Sequence, residues 1–134
     1  MSSIEHSRAR PAEGSQRFGA HLLLDMWDCR DELLSNADAL VALIRRAAEA
    51  AGGTVIDVRS HSFGPWGVTA VALLAESHVS IHTWPEAHYA AVDAYTCGRS
   101  MDPASAARVF IDALHPAEVR EQTIERGRRD DDAD

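Results

Sequence analysis

The most restrictive feature of the chain is a stretch of almost unbroken β-prone sequence from Val68 to Thr96. Val68 to Ala75 is nearly continuous apolar sequence, Val79 to Thr83 alternates, and Tyr89 to Thr96 is again apolar and β-prone. Strands that follow one another with such short connections predict a largely antiparallel sheet at the centre of the fold.

The flanking sequence adds two helices and three further strands. His21 to Trp27 (HLLLDMW) reads as a first strand. Asn36 is a good N-cap, the apolar positions Leu40, Leu43, Ile44, Ala47, Ala48 and Ala51 keep helical spacing, and Gly52-Gly53 supplies the stop. Thr54 to Ser60 carries β-branched Val55, Ile56 and Val58 and runs into the turn-prone SFGPWG. Asp102-Pro103 starts a second helix that continues to Leu114 and stops before Pro116. Val119 to Glu125 alternates and suits a weakly buried edge strand. The order β-α-β-β-β-β-α-β predicts an α+β two-layer sandwich with two helices on one sheet face. The other face needs a cover, and a homodimer through that face or an edge would supply it.

Length sets the domain count. With 134 residues, one domain is expected over residues 18–127, with 1–17 a flexible N-terminal extension and 128–134 an acidic tail. The first residues are polar and lack the apolar core of a secretory signal, which predicts a cytoplasmic protein with both cysteines reduced. No apolar run approaches the ~20 residues that span a bilayer, so no membrane partner is expected. A net charge of −8 argues against nucleic acid as a partner and favours a cationic small molecule.

Basic residues number 13, and every one is an arginine. Covalent amine chemistry in proteins commonly uses a lysine Schiff base, directly or to hold pyridoxal phosphate. A chain without lysine has neither route.

Reactive side chains concentrate in AESHVSIHTWPEAHYAAVDAYTCG, from Ala75 to Gly98. His78 and His82 share a strand face with Ser80, and His61, His88 or Cys97 could complete a zinc site, although no CxxC or HExxH supports one. Cys97 with His82 could instead form a thiol hydrolase pair. Histidines and cysteines in an apolar sheet are also ordinary core residues. The spacing alone leaves these readings open.

Taken as motifs, Glu76-Ser77-His78, IHTWPE (Ile81 to Glu86), YAAVD (Tyr89 to Asp93) and TCG (Thr96 to Gly98) closely resemble the self-processing segment of the prokaryotic S-adenosylmethionine decarboxylases. The resemblance runs more loosely from HLLLD at His21 to ERGR ending at Arg128. It implies a pyruvoyl-dependent enzyme of polyamine synthesis. Ser77 would attack the Glu76 carbonyl, His82 would be the processing base assisted by Thr69, and cleavage between Glu76 and Ser77 would leave a pyruvoyl group where Ser77 stood. That ketone would form the Schiff base with the substrate amine, so no pyridoxal phosphate is needed, and Cys97 would be the proton donor. Phe63 and Trp84 match the aromatics that hold adenine, and Glu86 matches the ribose-binding carboxylate. A homodimer of cleaved protomers with sites near the interface is implied as well, and no metal.

The chain departs from the family pattern near this pocket. Gly64 replaces a larger apolar residue, Thr69-Ala70 replaces Ser-Gly, and His88 replaces glycine. Those changes bear on substrate choice, since related enzymes decarboxylate ornithine or arginine, in which case Glu86 or Asp93 would pair with the substrate cation. A non-catalytic paralogue is a further reading, opposed by the retained Ser77, His82 and Cys97. Ser77 and His82 are also an odd number of residues apart, on opposite faces of a regular strand, so a bend between them is expected.

Overall fold

The computed structural model describes residues 18–97 and 100–129; the expected extension (1–17) and residues 130–134 of the acidic tail lie outside the described residues. The elements in chain order are β1 (Gly19–Trp27), α1 (Asp31–Leu34), α2 (Ala37–Ala50), β2 (Val55–Ser62), β3 (Val68–Leu74), β4 (Ser77–Trp84), β5 (Tyr89–Thr96), α3 (Pro103–Leu114) and β6 (Glu118–Arg126). All six strands join one sheet in the order β2-β3-β4-β5-β1-β6, and every neighbouring pair is antiparallel.

The core forms because alternate strand positions are apolar and register stacks them across the sheet. Leu22, Leu24 and Met26 of β1 lie opposite Ala94, Val92 and Ala90 of β5, and Val79 and Ile81 of β4 lie opposite Ala94 and Val92 from the other side. Over this face sit the buried stripes of the two long helices, Leu40, Leu43, Ile44, Ala47 and Ala48 of α2 with Ala106, Ala107, Phe110 and Leu114 of α3. Alanines at 47, 48, 70, 72, 90, 94, 106 and 107 are all buried; side chains this small let the helices approach the sheet closely.

The helix boundaries follow their caps. The Asn36 side chain accepts from Ala39 N–H at 3.0 Å and Asp102 from Ala104 N–H at 3.2 Å, satisfying donors the helix leaves unpaired. The one-turn α1 carries no periodic signal and is not expected from sequence. It is fixed by tertiary packing: Leu34 is fully buried and its carbonyl accepts from Thr83 Oγ1 at 2.7 Å. As expected for an edge strand, β6 is exposed along its whole length.

The second sheet face carries no helix. Exposed Val71 and Leu73 stand on it, beside a band of partly buried polar and aromatic side chains. None of the described helices is long and apolar enough to cross a membrane.

Candidate active site

One end of the sheet presents the Glu76-Ser77 junction. Ser77 is the first residue of β4, directly opposite Thr96, so Cys97 follows beside it. Ser77 and Cys97 are both buried, and the Cys97 N–H donates to the Glu76 carbonyl at 3.2 Å. Ser77 has φ +156°, a value disfavoured for a residue with a Cβ. The Glu76 carboxylate is anchored too: Thr54 N–H donates to Oε1 at 2.9 Å and Thr54 Oγ1 to Oε2 at 3.1 Å.

At the opposite end, a cleft of about 520 Å³ opens between the Gly64–Trp66 turn and the end of β4, lined by Phe63, Trp66, Thr69, His82 and Trp84 over Val68 and Thr83. Gly67 makes this closeness possible: its φ is +117°, and a Cβ there would lie 2.1 Å from the Thr83 carbonyl oxygen. Thr83 also ties the floor together, accepting from Val68 N–H at 2.9 Å while donating to Leu34. Thr69 and His82 are cross-strand partners, and Thr69 Oγ1 lies 3.0 Å from His82 Nδ1. Glu86 sits at the exposed Pro85–Ala87 turn that follows Trp84. His88 adopts φ +53°, ψ 37°, a left-handed conformation that glycine adopts at least cost.

Between the two ends runs a network centred on Asp93. Its carboxylate accepts from Ser80 Oγ and lies 2.6 Å from His21 Nε2 and 3.3 Å from His78 Nε2; Arg126 meets the other ring nitrogen of His21 at 3.2 Å. Burial alone would raise the Asp93 carboxyl, but the bonds from Ser80, His21 and His78 outweigh it and hold the group below its usual range. Among the described residues, His21, His78 and Asp93 form the one group whose ligating atoms lie close enough to hold an ion. It does not include His82, His61, His88 or Cys97, which the sequence offered as companions of His78. An Asp93 carboxylate satisfied by three side chains is also a poor partner for a substrate cation.

The structure therefore brings Phe63, Thr69, His82 and Trp84 together, and separately brings Glu76, Ser77 and Cys97 together. The expected bend between Ser77 and His82 is absent: β4 runs without interruption from Ser77 to Trp84. Ser77, Val79, Ile81 and Thr83 share the helix-covered side, whereas His78 and His82 project from the open one. Of the two thiols, Cys29 is inert at neutral pH, because burial pushes it up to about 11. Thr54 and the network of His21, Ser80 and Asp93 are absent from the sequence reading. An isolated threonine after two glycines gives no signal, and the network joins residues up to 72 positions apart.

The class defined by this architecture is a two-layer α+β protein with a Glu-Ser junction, its serine buried, beside a cysteine at one sheet end and an aromatic, histidine-bearing cleft at the other. Its family follows from comparison with known proteins. A family model described as S-adenosylmethionine decarboxylase matches residues 20–127. The S-adenosylmethionine decarboxylase proenzyme of Methanococcus aeolicus is 44% identical over 112 residues, covering 84% of this chain and 96% of the relative. That of Parasynechococcus marenigrum is 49% identical over 96 residues, covering 72% and 75%. The crystal structure of the adenosylmethionine decarboxylase from Aquifex aeolicus superposes with a TM-score of 0.74 at 36% identity, covering 89% of this chain and 98% of that one. The chain belongs to the S-adenosylmethionine decarboxylase family.

Proposed function

We propose that this chain is a self-processing proenzyme that cleaves itself between Glu76 and Ser77 and then decarboxylates S-adenosylmethionine. The observation that carries this reading is the hydrogen bond from Cys97 N–H to the Glu76 carbonyl. It polarises the carbonyl that Ser77 must attack and stabilises the oxyanion that forms there.

The processing chemistry balances without an added cofactor. Ser77 Oγ bonds to the Glu76 carbonyl carbon and the Glu76–Ser77 C–N bond breaks, giving an ester and a free amine on residue 77. A base removes the Cα proton of residue 77 and the Cβ–O bond breaks, releasing Glu76 as a new C-terminal carboxylate and leaving dehydroalanine. Tautomerisation to an imine and hydrolysis by one water give the pyruvoyl ketone and ammonia. The fold suits such a group. Residue 77 would head a strand paired on both sides, by β3 and β5, so the cut chain stays anchored.

His82 is the processing base, acting on the partner subunit's Ser77. Five residues of continuous strand separate Ser77 and His82 within one chain by about 16 Å, whereas a base must come within about 3 Å of the proton it takes. A two-fold dimer formed through the open face, from which His82 projects, would lay the cleft end of one sheet against the Ser77 end of the other, and symmetry would build two composite sites. There the base approaches the Cα proton of residue 77 at the strand terminus and not its helix-facing side chain. Exposed Val71 and Leu73 on that face support such packing. If His82 donates Nδ1–H to Thr69, the Nε2 lone pair faces the cleft as the base.

A pyruvoyl ketone supplies the electron sink for decarboxylating an α-amino acid, the part otherwise played by pyridoxal phosphate. Cys97 delivers the proton to the substrate carbon that loses carbon dioxide. Phe63 and Trp84 offer π faces to the adenine and the sulfonium cation, and Glu86 offers a carboxylate to the ribose hydroxyls. Intact mass of the purified protein tests processing: two fragments split after Glu76 are expected, and one unbroken chain would refute it. Assays with S-adenosylmethionine, ornithine and arginine test the substrate; turnover of either amino acid in place of S-adenosylmethionine would overturn the assignment.

A further inference from the structure

The connection between β3 and β4 consists of Ala75 and Glu76, and it contains neither the glycine nor the asparagine that tight strand connections favour. Local preference does not hold this turn, yet the bond to be broken lies at its end. Its restraints come from outside. Ala75 N–H donates to the Thr54 carbonyl at 3.0 Å, Thr54 N–H and Oγ1 take one oxygen each of the Glu76 carboxylate, and Cys97 N–H takes the Glu76 carbonyl.

We propose that Thr54 is a positioning residue for self-cleavage, a clamp that fixes Glu76 so that its carbonyl meets the Ser77 hydroxyl in the attacking geometry. The proposal rests on the processing reading above. Thr54 touches neither reacting atom; it acts through the Glu76 side chain, while Cys97 holds the carbonyl. Together the two grip both sides of one residue, which is how a flexible turn is made to present a reactive geometry.

The position of Thr54 is itself determined by packing. Gly52 turns the chain out of α2 with φ +87°, and a Cβ at Gly53 would meet the Ala48 carbonyl oxygen and Leu74 Cδ1, each at 3.1 Å. The two glycines thus let the chain lie flat on the helix end and the β3 terminus, and the next residue arrives beside Glu76. Thr54 precedes the first residue of β2, so its side chain carries no core packing and is available for this task. The same anchoring has a second effect once the bond is cut. Glu76 becomes a free chain end, and Thr54 keeps that end at the site where it was made.

The test compares Thr54→Val, which keeps the shape and removes the hydroxyl, with Thr54→Ser, which keeps the hydroxyl. Each full-length chain is synthesised in a cell-free system, and the two fragments are followed by gel and intact mass. Thr54→Val should slow cleavage about tenfold, the effect of losing one charge-assisted hydrogen bond, and Thr54→Ser should stay within about twofold of the wild type. The Val effect should vanish in a Glu76→Ala background, because the clamp then has nothing to hold. Wild-type cleavage rates in Thr54→Val, slowing in Thr54→Val that Thr54→Ser shares equally, or an undiminished Val effect in the Glu76→Ala background would overturn the clamp. A wild-type chain that never cleaves would refute the processing reading instead.

Discussion

Thr69 and His82 face each other across β3 and β4, with Thr69 Oγ1 3.0 Å from His82 Nδ1. A hydroxyl at this position fixes the ring orientation, so Thr69→Val should slow precursor cleavage about tenfold, equivalent to about 1.4 kcal/mol. Thr69→Ser, which keeps the hydroxyl, should match or exceed the wild type. Fragment appearance over time measures both, and equal rates for Val and Ser would remove Thr69 from the mechanism.

Processing between subunits predicts complementation. Ser77→Ala and His82→Ala chains should each stay intact alone. Mixed by co-expression with different tags, they should form heterodimers in which the His82→Ala chain supplies Ser77 and its partner supplies His82. The His82→Ala chain alone should then be cut. Failure of any chain to cleave in isolated heterodimers would count against the composite site.

The proposed mechanism uses the Cys97 backbone in one step and its thiol in another. Cys97→Ala keeps the N–H that holds the Glu76 carbonyl, so fragments should still form. Decarboxylation per pyruvoyl group should fall about 100-fold or more, as for loss of a general acid. Full turnover in the cleaved variant would refute the donor role.

Asp93 links stability to pH. Its folded pKa lies below the ordinary carboxyl value because Ser80, His21 and His78 bond the charged form more strongly than burial opposes it. The stability it contributes is present above about pH 4 and lost as pH falls through the depressed folded value. Asp93→Asn should cost about 2 kcal/mol at neutral pH, and its deficit against the wild type should shrink below pH 4. Thermal melts at pH 7 and pH 3 check this, and a constant deficit would refute the linkage.

Gly67 sets how closely the two walls of the cleft approach. Any side chain there meets the Thr83 carbonyl at 2.1 Å and requires the disfavoured φ of +117°. Gly67→Ala should therefore destabilise the fold by about 2 kcal/mol or more, seen as a lowered melting temperature.

Much of the architecture was legible because it rests on local preference. Asn36, Asp102-Pro103 and the apolar, β-prone run from Tyr89 to Thr96 mark elements whose observed limits agree with them. The start of β4 at Ser77 was not legible, since Ser77 and His78 have no strand preference and join the sheet through pairing with β5. The one-turn α1 escaped for the same kind of reason, being held by Leu34 and Thr83. The motif residues read as one set stand in the fold as two groups, Glu76, Ser77 and Cys97 at one end of the sheet and Phe63, Thr69, His82 and Trp84 at the other.

By itself the sequence determined the two long helices, the run of strands apart from the start of β4, the apolar face and the residues available for chemistry, because periodicity, caps and motifs are local. Tertiary structure alone decided that no bend separates Ser77 from His82, which stand at opposite ends of one continuous strand. It also decided that Thr54 meets Glu76 and that Asp93 gathers His21, Ser80 and His78. Those relationships depend on strand order and register, which are fixed by burying one complete face under two helices rather than by any short stretch of chain.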